Sequence, residues 1–515
     1  MQYESRVHKS LLNARVNLGC YFLSLCVAFF SRKIFIDQLG VDFLGLTGTL
    51  SSLLGFLNLA ELGVGSAIGY VLYKPIFDGD LSKINEIISV FGYLYRCIGL
   101  FILGCGVLLS SFLPWIFPDT PFSWGIIYLG YYAMLTASML GYFVNYRQTL
   151  LSADQRNYEV TGYFQAVTSS KVILQMVLAL YIRSFSLYLI NELIFGIIYA
   201  YILNWRINRI YPWLKNEVKL GRKLFRKYPE IGKYVKQLFV HKIGGFVQFQ
   251  ITPFLIYSYV SLPIVTLYGN YTLVTNNVRR LFSGLLDSTS AGVGNLISEG
   301  NRQKIWETYK ELLSVRILFA GILSANILYL SSPFISVWLG KEYVLSDLVI
   351  FLIVLQLFLL IARGTTDQFL FGYGLFYDIW APAVESAIFI VTAMVCGNIW
   401  GLSGVLCGPI LSLFIIVYIW KPYFLFSKGF KISTFNYWRL FATQILEIIV
   451  TYYISVHLSE CFLPATSLTE SWGNWLLGAL IFAIVITVSS VLLFSLFSPD
   501  LRRFIFRFIK LKTKI

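Results

Sequence analysis

Apolar runs of eighteen or more residues recur along this chain, from its first fifty residues to its last fifty. No other feature constrains the fold as strongly. Each run is long enough to cross a hydrocarbon core of about 30 Å as a helix. Composition enters as a check: the 515 residues are 57% hydrophobic and only 13% charged. A soluble chain carries roughly a quarter of its residues as charges. A soluble protein with an unusually apolar core is therefore set aside, and the fold class is all-α integral membrane.

Fourteen spans can be drawn, at 14–35, 44–73, 88–113, 122–149, 159–182, 185–205, 237–260, 264–296, 307–331, 345–371, 379–398, 402–420, 438–457 and 473–497. Basic residues give them an orientation. Alternate loops hold Lys74 and Lys83, Arg156, ten basic residues between Arg206 and Lys236, Arg302 and Lys304, and Lys421, Lys428 and Lys431. The opposite loops hold only Arg32, Lys33, Arg183 and Lys341. The positive-inside rule then places both termini in the cytoplasm. It also accounts for the net charge of +15 without nucleic acid, because the two basic clusters, 206–236 and 502–514, abut apolar spans. Gln2 to Arg15 is polar and basic, with no small-residue cleavage pattern after the first run, so that run is expected to stay as an anchor. The seven cysteines lack metal-ligand or redox spacing and read as small packing residues. Outer loops are stubs such as 114–122 and 397–401, which disfavours an enzyme holding a sugar acceptor outside the membrane.

The stretch Phe35–Lys83 has an echo about 221 residues later. Asp78-Gly79-Asp80-x-x-Lys83-Ile84 aligns with Glu299-Gly300-Asn301-x-x-Lys304-Ile305, Gly48 with Gly269, and Arg15 with Lys236. An offset of 220 pairs Arg96 with Arg316 and Gln148 with Gln368. A near-constant offset across successive spans implies duplication of a six-span unit. The expected organisation is an N-lobe over 1–205, a basic linker over 206–236, a C-lobe over 237–422, and two added spans with a basic tail over 423–515. Six spans return the chain to the same side, so the halves are parallel repeats, an arrangement found in transporters.

Ionisable groups at mid-membrane are costly and face a cavity or a partner rather than lipid. Glu61 lies near the middle of the second span, with Gly63, Gly65 and Gly69 beside it. Arg279 and Arg280 occupy a similar depth in the second half, with Asp287 seven residues further on. Lys171 sits halfway along the fifth span, Arg363 and Asp367 form an i, i+4 pair in the tenth, Glu385 lies early in the eleventh, and Glu447 stands in the thirteenth. Arg363–Asp367 reads equally as a structural ion pair, and Arg96 and Arg316 as side chains that snorkel to the interface. Two adjacent guanidiniums are different, because one neighbour cannot neutralise both. With bases outnumbering acids at this depth, the ligand expected is a phosphate or diphosphate.

The motifs LGVDFLGLTG, LAELGVGSAI and LYKPI within Phe35–Lys83 resemble the first part of the Wzx-type flippases of polysaccharide repeat units, the O-antigen and capsule exporters of the MOP superfamily. The resemblance covers the chain in length and topology, and it extends to the lipid II flippase and MATE efflux proteins. It implies two six-helix lobes plus two further helices in the bacterial cytoplasmic membrane. It implies export of an undecaprenyl-diphosphate-linked glycan by alternating access, other polysaccharide-assembly proteins as partners, a monomer, and no cofactor. It also implies cavity cations, which Arg279, Arg280, Lys171 and Arg147 would supply, with Arg363 beside them. Glu61, Asp287, Asp367 and Glu385 are the candidates to carry a coupling proton or Na⁺. A MATE-like cation-coupled efflux pump is the alternative, followed by a membrane polymerase or ligase of lipid-linked sugars.

Overall fold

The structure, a computed structural model, describes residues 6–503 apart from Leu62, Gly63, Asp119, Gln155, Asn216, Ser288 and Phe376. Most of the basic tail expected over 502–514 thus lies outside the described residues. The chain divides into two compact units, Met1–Thr266 and Leu267–Ile515. The first holds α1 (Arg6–Leu39), α2 (Val41–Leu57), α3 (Val64–Asp78), α4 (Leu81–Ser110), α5 (Leu113–Ile116), α6 (Trp124–Phe143), α7 (Gln148–Ala153), α8 (Tyr158–Tyr181), α9 (Phe185–Ile210), α10 (Gly221–Phe225) and α11 (Pro229–Tyr259). The division falls inside α12 (Leu262–Asp287). The second unit continues with α13 (Ser290–Ser298), α14 (Arg302–Trp338), α15 (Asp347–Ala362), α16 (Gly364–Gly372), α17 (Trp380–Ser412), α18 (Lys421–Phe424), α19 (Phe435–Phe462) and α20 (Trp472–Phe497). No strand occurs among the described residues.

Packing and sequence duplication draw their lines in different places. The linker expected to separate the halves ends at residue 236, whereas α11 packs along α2 and α3 within the first unit. That seam is backbone-close: the start of α12 continues it, with Thr266 Oγ1 donating to the Val41 carbonyl at 2.7 Å and Arg32 donating to the Thr266 carbonyl at 2.8 Å.

Ten helical stretches among the described residues are long and apolar enough to cross a membrane. One of them, Trp380–Phe430, covers two expected spans, because the backbone reverses at Gly401 (φ 56°, ψ −129°). Its two arms then run side by side: Gly404 presses on the Cys396 carbonyl, and a Cβ on Gly408 would meet the Phe389 carbonyl at 2.7 Å. Small residues permit this approach, and packing of this kind holds helices together where lipid is as apolar as the side chains. The expected spans 44–73, 237–260 and 264–296 fall on helices that are broken or richer in polar residues.

The surface is inverted relative to a soluble protein. On α20, Leu480, Ile484, Val488 and Leu492 form an i, i+4 stripe that is 52–60% exposed, while Phe482, Ile486, Ser490 and Phe494 are buried against α14 and α19. A stripe of this kind is stable against an apolar surrounding such as lipid and not against water.

The repeated motif has a mechanical reason. Gly79 and Gly300 sit at φ 70° and 74°, ending one helix in the left-handed conformation. Asp80 and Asn301 then cap the next helix, accepting from the backbone N–H groups of Lys83 at 2.9 Å and Lys304 at 3.0 Å. Each half thus builds the same helix–turn–helix corner from Gly plus an Asx cap.

The second span is not one continuous helix. It breaks into α2 and α3 around a tight turn at Asn58–Glu61, and 264–296 likewise breaks into α12 and α13. The fourth and tenth spans also break, after Phe143 and at Arg363, 220 residues apart. Discontinuous helices at matching repeat positions are a transporter feature, since freed backbone groups and termini become available to a ligand.

A glycine test separates close approach from composition. Gly404→Ala is expected to destabilise the protein by roughly 1–3 kcal/mol, because its Cβ would overlap backbone. Gly104→Ala on α4, where a Cβ would have no neighbour within 4 Å, is expected to be neutral or slightly stabilising. Thermal unfolding in detergent distinguishes the two.

Candidate functional site

In the second unit, ionisable side chains from five elements converge. Arg279 and Arg280 lie two turns before the end of α12, and the charge of Arg279 is felt by Arg280 and Arg363. Arg363 occupies the break between α15 and α16. Its Nε donates to Asp367 Oδ2 at 2.8 Å, and Lys421 Nζ donates to the other oxygen at 2.7 Å. Glu385 of α17 is buried within electrostatic reach of Arg363. Lys421 follows a π-helical stretch, Leu413–Trp420, whose wider turn carries Tyr418 and Lys421 toward the break. Tyr418 donates to the Leu359 carbonyl at 2.7 Å, a second bond on a group that also accepts the Arg363 N–H at 3.2 Å.

Arg316 completes the network, and here the snorkelling expectation is overturned. Arg316 is only 3% exposed; it donates to Asp287 Oδ1 at 2.8 Å and to the Ile361 carbonyl at 3.4 Å. Gly364 leaves it room, since a Cβ there would run into the guanidinium. With a carboxylate and a backbone carbonyl both within reach inside the unit, the side chain has no reason to climb to the interface. Among the described residues, the cluster brings together five cations, Arg279, Arg280, Arg316, Arg363 and Lys421, and three carboxylates, Asp287, Asp367 and Glu385.

In the first unit the expected residues occupy three separate settings. Glu61, placed by its sequence at mid-helix, instead stands in the turn between α2 and α3. Its carboxylate accepts from the hydroxyls of Tyr95 and of Tyr142, the latter at 2.8 Å, and Tyr142 also lies 2.9 Å from Asn58 Oδ1. These groups line a polar cavity of about 360 Å³ with Ser138, Asn145 and Gln148. Lys171 of α8 is bound 2.6 Å from Glu192 of α9, and Gln175 donates to the second Glu192 oxygen at 3.3 Å. That pair is a neutral inter-helix clamp. Arg147 lies between α6 and α7 and donates to Asn204 Oδ1 at 2.5 Å and Asn208 Oδ1 at 2.8 Å.

Sequence reasoning misses three sets of partners that the fold supplies. Glu192 carries the required signal, a carboxylate within an apolar span that neighbours the span of Lys171. Lys421 looks like a loop charge because nothing in the sequence marks a π-turn. Tyr95 and Tyr142 are two among 34 tyrosines, and only the fold singles them out.

The second unit also contains an apolar cavity of about 910 Å³ between α14, α15, α17 and α19, with Leu328, Phe358, Phe414, Phe441, Ile448 and Tyr452 in its walls and no charged residue among its lining. Outside the spans, the linker is held to α4: Lys227 and Tyr228 donate to Glu86 at 2.6 and 2.5 Å. Burial, and then that carboxylate, push the Tyr228 hydroxyl up, which keeps it protonated and donating.

Against known proteins, no protein-family model matches the chain. A curated protein of Yersinia pseudotuberculosis described as "Putative O-antigen export protein" is 24% identical over 451 residues, covering 81% of this chain and 96% of that protein. Among solved structures, the lipid II flippase MurJ in an inward closed conformation aligns with a TM-score of 0.64 at 16% identity, over 94% of this chain and 99% of MurJ. An inward-facing MATE-family multidrug transporter of the MOP superfamily aligns at 0.56 with 13% identity, over 81% of this chain and 99% of that one. The MATE transporter VcmN of Vibrio cholerae aligns at 0.51 with 14% identity, over 82% and 99%.

The Arg363–Asp367–Lys421 triad makes a sharp stability test. Asp367→Asn leaves two cations facing each other and is expected to cost roughly 3–5 kcal/mol. Adding Lys421→Met should recover a large part of that loss in detergent melting curves, because the repulsion is removed with its source.

Proposed function

We propose that this multi-pass membrane protein, which has the fold of the MOP-superfamily transporters, is a flippase. Its cargo is an undecaprenyl-diphosphate-linked oligosaccharide repeat unit, moved from the inner to the outer leaflet of the cytoplasmic membrane for cell-surface polysaccharide. The observation that carries the proposal is the excess of cations in the second unit's network, five against three carboxylates. Guanidiniums bind phosphate oxygens in bidentate, charge-assisted pairs, and Arg keeps its charge in low dielectric. The likeness to the O-antigen export protein and to the lipid II flippase supports the same cargo class. The uncharged 910 Å³ cavity suits the prenyl chain of such a lipid.

The mechanism follows from the charges. Arg279 and Arg280 take the diphosphate while Arg363 and Lys421 stay engaged by Asp367, so the site is charged but preorganised. Alternating access then exposes the headgroup to the other side. An inside-negative potential favours the exit of net negative charge by about 2.3 kcal/mol per charge per 100 mV. Return of the empty site uses a coupling cation, for which Glu61, Asp287, Asp367 and Glu385 are the candidates; the Tyr95–Tyr142–Asn58 shell around Glu61 supplies oxygen ligands for a proton or Na⁺. The termini lie in the cytoplasm, following the basic loops. A MATE-like efflux pump shares the fold, but its cationic cargo would meet repulsion at the second-unit network.

Deleting the gene is expected to leave undecaprenyl-linked repeat units on the cytoplasmic leaflet. Wild-type protein should restore export, while Arg279→Gln with Arg280→Gln should lower it at least about tenfold at equal membrane abundance, reflecting lost charge-assisted bonds. Full export by that variant would remove the anion site. For coupling, Glu61→Gln and Asp287→Asn are each measured across pH and Na⁺ concentration; unchanged rates in both would exclude those two residues as coupling groups.

A further inference from the structure

Arg147 belongs to a second cationic cavity, of about 620 Å³, in the first unit. It opens where α6 gives way to α7 and lies beneath the segment 217–219 of the basic linker. Arg96 of α4, Arg147, Asn204 of α9, and Glu217 and Lys219 of the linker line it. The geometry separates positioning from charge. Arg147 is held by two neutral amide oxygens, Asn204 at 2.5 Å and Asn208 at 2.8 Å, which orient the guanidinium without cancelling it. Arg96 and Lys219 make no hydrogen bond or ion pair among the described residues, and Glu217 is the one carboxylate in the lining.

The linker is fixed over this cavity rather than draped on it. Lys215 N–H donates to Asn85 at 2.8 Å and Glu217 N–H to Ser89 at 2.9 Å, while Val218 packs against Gly92, where a Cβ would lie 2.7 Å from it. Lys219 is thereby carried to the rim. Three cations against one carboxylate, with fixed guanidinium geometry, match a phosphate group of charge −1 to −2.

We propose that this cavity is a phosphate-binding site at the linker side of the first unit, taking either the headgroup of an anionic phospholipid or the diphosphate of a lipid-linked substrate. The inference stands without the flippase reading, since it concerns different residues and a different readout. Binding to the full-length protein in detergent is measured by native mass spectrometry with three probes: phosphatidylglycerol, undecaprenyl diphosphate, and zwitterionic phosphatidylcholine as the control.

Arg96→Gln with Lys219→Gln, which leaves the Arg147–Asn contacts intact, should weaken probe binding about tenfold. Arg96→Lys should keep most of it, and Arg279→Gln with Arg280→Gln should not weaken phosphatidylglycerol binding. A loss confined to phosphatidylglycerol identifies the bilayer headgroup, and a loss confined to undecaprenyl diphosphate identifies the lipid-linked source. Equal binding by wild type and the double variant overturns the proposal. So does binding of phosphatidylcholine as tightly as phosphatidylglycerol together with no preference for undecaprenyl diphosphate. Hydrogen exchange on the wild-type protein is a second readout that needs no variant: residues 215–221 should gain protection on adding inorganic pyrophosphate or phosphatidylglycerol vesicles, and unchanged exchange with both overturns the site.

Discussion

The structure depends on one constraint: inside the hydrocarbon core no water is present to satisfy a charge or a broken backbone. Every interruption of a helix must therefore bring its own partners. At the α15–α16 break, the Leu359 carbonyl receives Tyr418 in addition to the Arg363 N–H, the Ile361 carbonyl receives Arg316, and the missing Cβ of Gly364 makes room for that guanidinium. At Asn58–Glu61, tyrosine hydroxyls from α4 and α6 satisfy the Glu61 carboxylate rather than the backbone. The breaks and the charged residues are one device, because each makes the other tolerable.

The same constraint shifts the burden of cohesion. Apolar side chains gain little from leaving lipid for one another, so helices are joined by close backbone approach and by buried polar contacts. The Gly401 hairpin is held by Gly404 and Gly408 against opposing carbonyls. The α14–α19 seam contains a Gln444–Ser314 hydrogen bond of 2.5 Å, and Ser498 holds Glu447 where α20 ends. Such bonds average about 0.6 kcal/mol in a membrane, so shape complementarity carries most of the cohesion.

The fold class is legible in the sequence because length and hydropathy are what a bilayer selects. The duplication is legible through the Gly79–Asp80 and Gly300–Asn301 corners, since αL glycine and an Asx cap tolerate few alternatives. The breaks are not, because hydropathy is summed over windows and a tight turn such as Asn58–Glu61 barely changes the sum. Charges are legible as individuals and not as partners. Sequence alone sends Arg316 to the interface and Lys421 to a loop, and it leaves Lys171 without Glu192. Pairing is set by helix phase and by a π-turn that the sequence does not announce. The 220-residue offset linking Arg96 and Arg316 shows the limit well. In one half the arginine is buried on a carboxylate, and in the other it lines an open cavity.

That divergence bears directly on function. A duplicated carrier starts with two equivalent halves, and only their differences can give it direction. Here the first unit keeps an acidic centre wrapped by tyrosines, and the second keeps an excess of guanidiniums around a broken helix. If the proposed mechanism uses Glu61 for the counter-ion and Arg279–Arg280 for the cargo, the two need not compete for the same groups. A coupled exchange requires that separation: the two ligands must favour different states of one protein, and each shifts the equilibrium only by its own differential affinity. In the proposed mechanism, charge of opposite sign in each half supplies that difference.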